Sequence, residues 1–82
     1  MSEREGYRVT NAIRALRFAH GEMTQQQLAD VIGMTRQTVN AVEQGHYAPS
    51  LEAAFKIALA FGVEIGEVFQ YRSGRDEPSR RD

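Results

Sequence analysis

The chain offers few side chains suited to catalysis or metal binding. It contains no cysteine, which excludes a thiolate zinc site and a cysteine nucleophile. Its two histidines, His20 and His46, lie far apart and lack acidic neighbours at metal-ligand spacing, so we expect them to pack or to face solvent. No Ser-His-Asp set, paired carboxylates or glycine-rich phosphate loop is evident. The sequence therefore predicts no enzyme, no metal and no cofactor.

Hydrogen-bonding side chains are instead concentrated between residues 25 and 45. The pattern predicts two short helices joined by a turn at Gly33, where glycine allows the positive φ that a rapid chain reversal favours. Ala29 provides the small side chain that two steeply crossing helices need at their contact, and Val39 and Val42 hold the second helix on the first. The opposite face of that second helix has no evident core role and carries Arg36, Gln37, Thr38, Asn40 and Ala41.

Capping residues divide the rest of the chain into short helices. We expect four helices to be capped by Thr10, Thr24, Thr35 and Ser50, and a fifth, short helix to begin near Ile65. The inner face of the fourth helix is predicted to carry Leu51, Ala54, Ile57, Ala58 and Phe61. The predicted fold class is therefore all-α, with five helices.

The two ends of the chain differ from its middle. Residues 1–6 and 73–82 are polar and are predicted to be flexible tails, which leaves residues 7–72 as one folded domain. The segments Tyr7–Val9 and Phe69–Arg72 both alternate between polar and apolar residues. We therefore add the hypothesis that they pair as a short terminal β-ribbon.

Size and charge exclude several classes of protein. A chain of 82 residues, 41% of them apolar, forms one small domain that is too short for most enzyme folds. No apolar run approaches the roughly 20 residues that cross a bilayer. No secretory leader is evident either, so we expect no membrane partner and a cytoplasmic location. The net charge of −1 argues against a general polycation. The folded region holds six basic and six acidic residues, so a single copy should bind a polyanion weakly.

Motifs along almost the whole folded region resemble one family. Residues 11–17 read Asn-x-Ile-Arg-x-Leu-Arg, and residues 23–29 read Met-Thr-Gln-x-x-Leu-Ala. Residues 36–45 read Arg-Gln-Thr-Val-Asn-x-Val-Glu-x-Gly, followed by Tyr-x-Pro-Ser-Leu at 47–51. Residues 55–58 read Phe-Lys-Ile-Ala, and residues 62–69 close with Gly-Val-x-Ile-x-x-Val-Phe. Together these motifs resemble the phage Cro and C1 repressors, or Xre-type helix-turn-helix regulators, in their short form that consists of the DNA-binding domain alone.

The resemblance implies a lambda-repressor-like fold and specific roles for individual residues. The second helix of the motif, about residues 35–44, would lie in the major groove of double-stranded DNA. Its base-reading residues would be Arg36, Gln37, Thr38, Asn40 and Ala41. Phosphate contacts are expected from Thr24, Gln25, Tyr47 and Arg14, although Tyr47 could instead cover the core and Arg14 could be a solvated charge. Arg17 and Glu43 match a structural ion pair between the first and third helices.

Family membership also implies a partner subunit and a mechanism. One recognition helix reads only a few base pairs, so we expect a homodimer on a near-palindromic operator, acting as a repressor. The predicted dimer surface is Val63, Ile65, Val68, Phe69 and Tyr71, unless these residues only close the monomer core. Two alternatives stay open. One is the antitoxin of a toxin–antitoxin pair, with residues 73–82 binding the toxin, and the other is a protein-interaction module that has lost DNA binding.

Overall fold

A computed structural model describes residues 7–73 of the chain. The predicted tails at 1–6 and 73–82 lie outside the described residues, apart from Ser73, which is the last residue of a strand. Five helices follow one another, and a short strand flanks them at each end. The predicted five-helix fold with a terminal ribbon is therefore confirmed. The elements are β1 (Tyr7–Asn11), α1 (Ile13–Ala19), α2 (Gln25–Ile32), α3 (Arg36–Glu43), α4 (Leu51–Phe61), α5 (Ile65–Val68) and β2 (Phe69–Ser73).

The ribbon joins the two ends of the described chain. β1 and β2 pair antiparallel, with Tyr7 opposite Ser73 and Asn11 opposite Phe69. The pairing extends beyond the predicted segments, and the prediction that Thr10 caps the first helix is wrong. Thr10 pairs with Gln70 in the ladder, which keeps its backbone extended. The helix begins three residues later, and the Asn11 side chain accepts a hydrogen bond from the Ile13 amide at 3.1 Å.

Local capping explains where the central helices begin. The Thr24 hydroxyl accepts a hydrogen bond from the Gln27 amide, and the Gln27 side chain accepts one from the Thr24 amide, which completes the predicted capping box. The hydroxyls of Thr35 and Ser50 cap α3 and α4 in the same way, each accepting from the amide three residues on. Gly33 ends α2 with φ 76°, so the turn between α2 and α3 uses the left-handed conformation that the sequence predicts.

The core forms where α2 packs against both α3 and α4. Two expectations about burial are wrong. Leu51 is 70% exposed, because it lies at the first turn of α4, away from the face that packs on α2 and α5. Val68 is completely buried within the single chain, so it belongs to the core and is not available to a dimer partner. The core residues are Ile13, Leu28, Ala29, Ile32, Val39, Val42, Ile57, Ala58, Phe61 and Val68.

Candidate nucleic-acid interface

The outer face of α3 is free of core contacts, as a helix that enters a DNA groove must be. Val39 and Val42 are buried, whereas Arg36, Gln37 and Asn40 are exposed. Thr38 and Ala41 are half-buried and lie at the edges of this face. Every side chain that was predicted to read bases is therefore on the surface or at its margin, and the three longest polar ones are the most exposed.

Gln44 belongs to the same face and was missed by the sequence analysis. It is exposed and stands one residue after α3, as the C-cap of the helix. Counting back at helical spacing from Gln44 gives Ala41, Asn40 and Gln37, which is the i, i+3, i+4, i+7 pattern of one helix face. That periodicity was the available signal.

The first turn of α3 is polar, and part of its hydrogen-bonding capacity is already used. The Thr35 hydroxyl accepts from the Thr38 amide at 3.1 Å, and the two threonine hydroxyls lie 2.9 Å apart. Thr38 is therefore partly committed to the cap. Within residues 7–73, the side chains of Arg36 and Gln37 form no such hydrogen bond, and α3 has no acidic residue in its first turn. This end of the helix consequently favours an anionic or electron-rich ligand.

A buried ion pair fixes α3 relative to α1. The Arg17 guanidinium donates to both carboxylate oxygens of Glu43, with Nε–Oε2 at 2.6 Å and Nη2–Oε1 at 3.1 Å. Their side chains are only 9% and 6% exposed. A third donor, Nη1, binds the Met23 carbonyl at 2.7 Å and so adds the loop before α2 to the same contact. The structure thus contains the ion pair implied by the family resemblance, in forked geometry.

Gln25 extends this network to the exposed face. Its Nε2 donates to Glu43 Oε1 at 3.2 Å and to Asn40 Oδ1 at 3.0 Å. Both hydrogens of the Gln25 amide are therefore used inside the protein, and its side chain has no donor left for a phosphate. Because Asn40 Oδ1 is oriented towards Gln25, the Asn40 amide nitrogen is the atom that faces outward.

The start of α2 nevertheless provides donors for a phosphate through its backbone. The capping box uses the amides of Thr24 and Gln27. The two amides between them, of Gln25 and Gln26, lie in the first turn, where no helical carbonyl is in reach. A helix N-terminus with open amides is suited to bind an anion.

Asn11 holds the C-terminal end of α3, a role that sequence reasoning did not assign. Its Nδ2 donates to the Val42 carbonyl at 3.0 Å and to the Glu43 carbonyl at 3.4 Å. Both are last-turn carbonyls, and the Val42 carbonyl also accepts a hydrogen bond from the Gly45 amide at 3.0 Å. The asparagine lies at the end of β1, so the ribbon is connected directly to the C-terminal end of α3. Its place in the family motif was the one available signal.

The remaining two residues predicted to contact phosphate have different surroundings. Tyr47 is 53% exposed and lines a cleft of about 500 Å³ between the loop after α3 and β1, with Arg8 also in its lining. Its side chain is therefore mostly on the surface and covers little of the core. Arg14 is exposed, and its guanidinium lies 5.3 Å from the centroid of the Phe18 ring, in cation–π contact.

Within residues 7–73 no group of three histidine, aspartate or glutamate side chains is placed to hold a metal ion. The ring nitrogens of His20 lie 2.8 Å from the Leu16 carbonyl and 3.0 Å from the Phe61 carbonyl, so this histidine connects the ends of α1 and α4. Over the same described range, no helix has the length and apolar content that a membrane crossing requires.

Comparison with known proteins assigns the chain to a family. Residues 13–68 match the family model described as helix-turn-helix. An HTH-type transcriptional regulator of Methanocaldococcus jannaschii, MJ0272, is 48% identical over 61 residues, which are 74% of this chain and 91% of the relative. The transcriptional repressor RstR of the cryptic phage CTXphi, from Vibrio cholerae, is 36% identical over 59 residues, which are 72% of this chain and 52% of RstR.

A solved structure supports the same assignment. The restriction-modification controller protein C.AhdI of Aeromonas hydrophila superposes with a TM-score of 0.62 at 38% identity, over 67% of this chain and 78% of that chain. The family model spans the segment from α1 to α5, which contains the exposed face of α3 and the Arg17–Glu43 pair. The chain therefore belongs to the Xre-type helix-turn-helix family and is a transcriptional regulator with a DNA-binding domain.

Proposed function

We propose that the protein is a repressor that binds a near-palindromic operator as a homodimer, with α3 in the major groove. The observation that carries this proposal is the solvent-facing polar side of α3, where Arg36, Gln37 and Asn40 have no role in the core. Arg36 can donate a fork to guanine O6 and N7, and Gln37 can pair with adenine N6 and N7. The similarity to RstR, a transcriptional repressor, favours repression over activation.

Asn40 has a narrower role in this proposal than its residue type suggests. A free asparagine pairs with adenine by offering both a donor and an acceptor. Here Gln25 donates to the Asn40 oxygen at 3.0 Å, which uses one of its two lone pairs and orients the oxygen towards α2, so the amide nitrogen is the group that faces outward. Asn40 should therefore prefer a base edge that accepts, such as guanine N7 or O6 or thymine O4. Ala41 can add a methyl contact to thymine.

Phosphate binding would rest mainly on neutral groups. α3 carries one cation, Arg36, and one anion, Glu43, which Arg17 neutralises. The open amides of Gln25 and Gln26 at the start of α2 are the best-placed phosphate donors, and the Tyr47 hydroxyl and Arg14 can add contacts farther along the backbone. The hydroxyl of Thr24 accepts from the Gln27 amide but keeps its own hydrogen to donate.

We propose a homodimer because an operator must be bound much more tightly than random DNA. Specific binding is typically about 4–10 kcal/mol tighter than binding to random DNA, and one short helix with a single arginine provides only part of that difference. Two copies related by a two-fold axis would place two α3 helices about 34 Å apart, one turn of B-DNA. Such a regulator acts where the chromosome is, so a cytoplasmic location forms part of the proposal.

The antitoxin alternative depends on residues 73–82, which beyond Ser73 lie outside the described residues, so it stays a prediction.

The test is selection of bound sites from random double-stranded DNA, followed by affinity measurements on the selected operator. Arg36→Ala is expected to cost about 1–3 kcal/mol on that operator and to remove the preference at one base position. Arg72→Ala is the matched control, since it removes an exposed arginine from β2 rather than from α3. Operator binding by Arg36→Ala that equals wild type would contradict the base-reading assignment, and a failure to enrich any sequence would contradict the proposed function.

A further inference from the structure

The terminal ribbon carries two arginines that lie opposite each other. Arg8 of β1 pairs with Arg72 of β2 in the antiparallel register, and both side chains are exposed. Residues directly opposite in such a pair share one face of the ribbon, with their Cβ atoms about 4.5–5.5 Å apart. The two cationic side chains therefore begin side by side, and they are named here the ribbon arginine pair.

The ribbon arginine pair does not stabilise the ribbon. Like charges directly opposite each other in a β-ladder are destabilising. Neither arginine forms an ion pair with a residue from 7 to 73, whereas three of the other basic residues in that range contact side chains of the same chain, namely Arg14, Arg17 and Lys56. Because folding does not explain the two arginines, a ligand that brings negative charge is the simplest reason for their position.

The ribbon arginine pair lies on the side of the molecule where α3 ends. Asn11 at the end of β1 donates to the Val42 carbonyl, which holds the ribbon against the C-terminal end of that helix. Arg8 precedes Asn11 by three residues along the strand, a distance of about 10 Å. It lines the cleft of about 500 Å³ together with Gln44 and Tyr47. The pair is therefore close to the end of the exposed face of α3 and to the loop that follows it.

We propose that the ribbon arginine pair binds the phosphate backbone of the DNA beyond the C-terminal end of α3, an inference that rests on the proposed operator-binding function. A helix in the major groove has a sugar-phosphate strand along each wall of the groove, so the segments beyond its end approach one of those strands. A guanidinium donates a fork of hydrogen bonds that fits two phosphate oxygens. Such contacts strengthen binding without reading a base.

The charge balance of the domain supports the same ligand. Residues 7–73 hold six basic and six acidic residues, so without the ribbon arginine pair four basic residues would face six acidic ones. A domain with that excess of negative charge would repel the phosphates of DNA. The pair would offset this repulsion and add to the neutral donors at the start of α2. Because it contacts no base, it should raise the affinity for every DNA sequence by the same factor.

The test measures the affinity of the full chain for its selected operator at several salt concentrations. Each neutralised phosphate contributes about 0.9 to the slope of log affinity against log salt, so Arg8→Ala should reduce that slope by about 1.8 in a homodimer that loses one contact per copy. Over a fourfold rise in salt, wild type should then lose about twelve times more affinity than the variant. Arg72→Ala should behave like Arg8→Ala and keep the wild-type base preference, so it remains a control for base reading alone.

Two variants control for the charge and its position. Arg72→Lys keeps the positive charge and should keep most of the salt dependence. Lys56→Ala removes an exposed cation from α4 and should leave the salt dependence unchanged. Equal salt slopes for wild type, Arg8→Ala and Arg72→Ala would overturn the inference.

Urea denaturation separates DNA binding from a structural role of the pair. Arg72→Glu places opposite charges across the ladder, so its unfolding midpoint should be no lower than that of Arg72→Ala. Its operator affinity should nevertheless be lower, because a carboxylate repels the phosphates. A structural role would instead make the unfolding midpoint and the operator affinity fall together, and that result would refute the proposed contact.

Chemical changes in the DNA identify the phosphate itself. Operators in which a neutral methylphosphonate replaces one phosphate at a time should include a position that weakens wild type but not Arg8→Ala. The absence of any such position would contradict the contact. An Arg8→Ala loss that depends on whether the neighbouring pairs are A·T or G·C would indicate minor-groove reading and would also contradict it.

The same measurements separate this inference from the proposed function. If Arg36→Ala loses a base preference while the ribbon variants bind as wild type does, the operator function stands and the backbone contact is refuted. If wild type selects no sequence but Arg8→Ala still reduces the salt slope on random duplex DNA, the backbone contact stands and the operator function is refuted.

Discussion

Replacing Arg17 by methionine should remove most of the stability of the domain. Arg17 and Glu43 are buried, and Arg17 provides three of the hydrogen bonds in their network. Without it, the Glu43 carboxylate keeps Gln25 as its one side-chain donor among residues 7–73. Removing one partner of a buried ion pair typically costs about 3–5 kcal/mol. A domain of this size has about 3–10 kcal/mol in total.

The assay is urea denaturation followed by circular dichroism at the helical band. With a urea dependence of about 1 kcal/mol per molar, a loss of 3 kcal/mol lowers the unfolding midpoint by about 3 M. Arg14→Met is the matched control, because it makes the same change three residues earlier on α1, at an exposed arginine that contacts the Phe18 ring. It should cost less than about 1 kcal/mol.

A double variant separates the cost of an unpaired charge from the value of the pair. Arg17→Met combined with Glu43→Leu leaves no buried charge, so we expect it to recover much of the stability that the single variant loses. If Arg17→Met costs no more than Arg14→Met, or if the double variant is less stable than Arg17→Met, the reasoning about this buried pair is refuted.

Two further predictions concern the residues that hold α3 in place. Gln25→Ala frees the Asn40 oxygen, so it should alter the base preference at the Asn40 position. A double-mutant cycle of Gln25→Ala with Asn40→Ala, measured as operator affinity, should give a coupling of about 1 kcal/mol. Gln26→Ala is the control, and additive effects of Gln25→Ala and Asn40→Ala would contradict the proposed orientation of Asn40. Asn11→Ala removes the donor that binds the last carbonyls of α3 and the acceptor for Ile13, so it should cost about 1–3 kcal/mol in urea denaturation. Asn11→Asp keeps only the acceptor, so it should be no more stable than Asn11→Ala. A urea unfolding midpoint equal to that of wild type, for either variant, would show that Asn11 does not hold α3.

The exposed face of α3 illustrates how far local sequence rules reach. Threonine and serine caps, the glycine at the end of α2 and the spacing of Val39 and Val42 all depend on groups within about four residues. Those signals identify the helices, the turn and the outward side of α3 without knowledge of the rest of the chain. The same periodicity would have included Gln44 had it been followed one more turn.

The wrong predictions all concern contacts between distant parts of the chain. Thr10 looks like a cap, but β2, 60 residues later, holds it in a strand because ladder hydrogen bonds outweigh a local capping preference. Leu51 matches the period of the inner face, yet it lies at the first turn of α4, away from the face that packs on α2 and α5, and it stays in solvent. Val68 looks like an interface residue and is buried because α5 closes the core of its own chain.

The sequence by itself determined where the central helices begin and end, which side of α3 is polar and which family the motifs resemble. Only the tertiary structure decided that Gln25 holds Asn40, that Asn11 binds the end of α3, and that Arg8 lies opposite Arg72. The physical reason is the sequence distance between the interacting residues. Helix caps and helix periodicity depend on residues within one or two helical turns of each other. Burial and hydrogen bonds between elements depend on how separate helices meet.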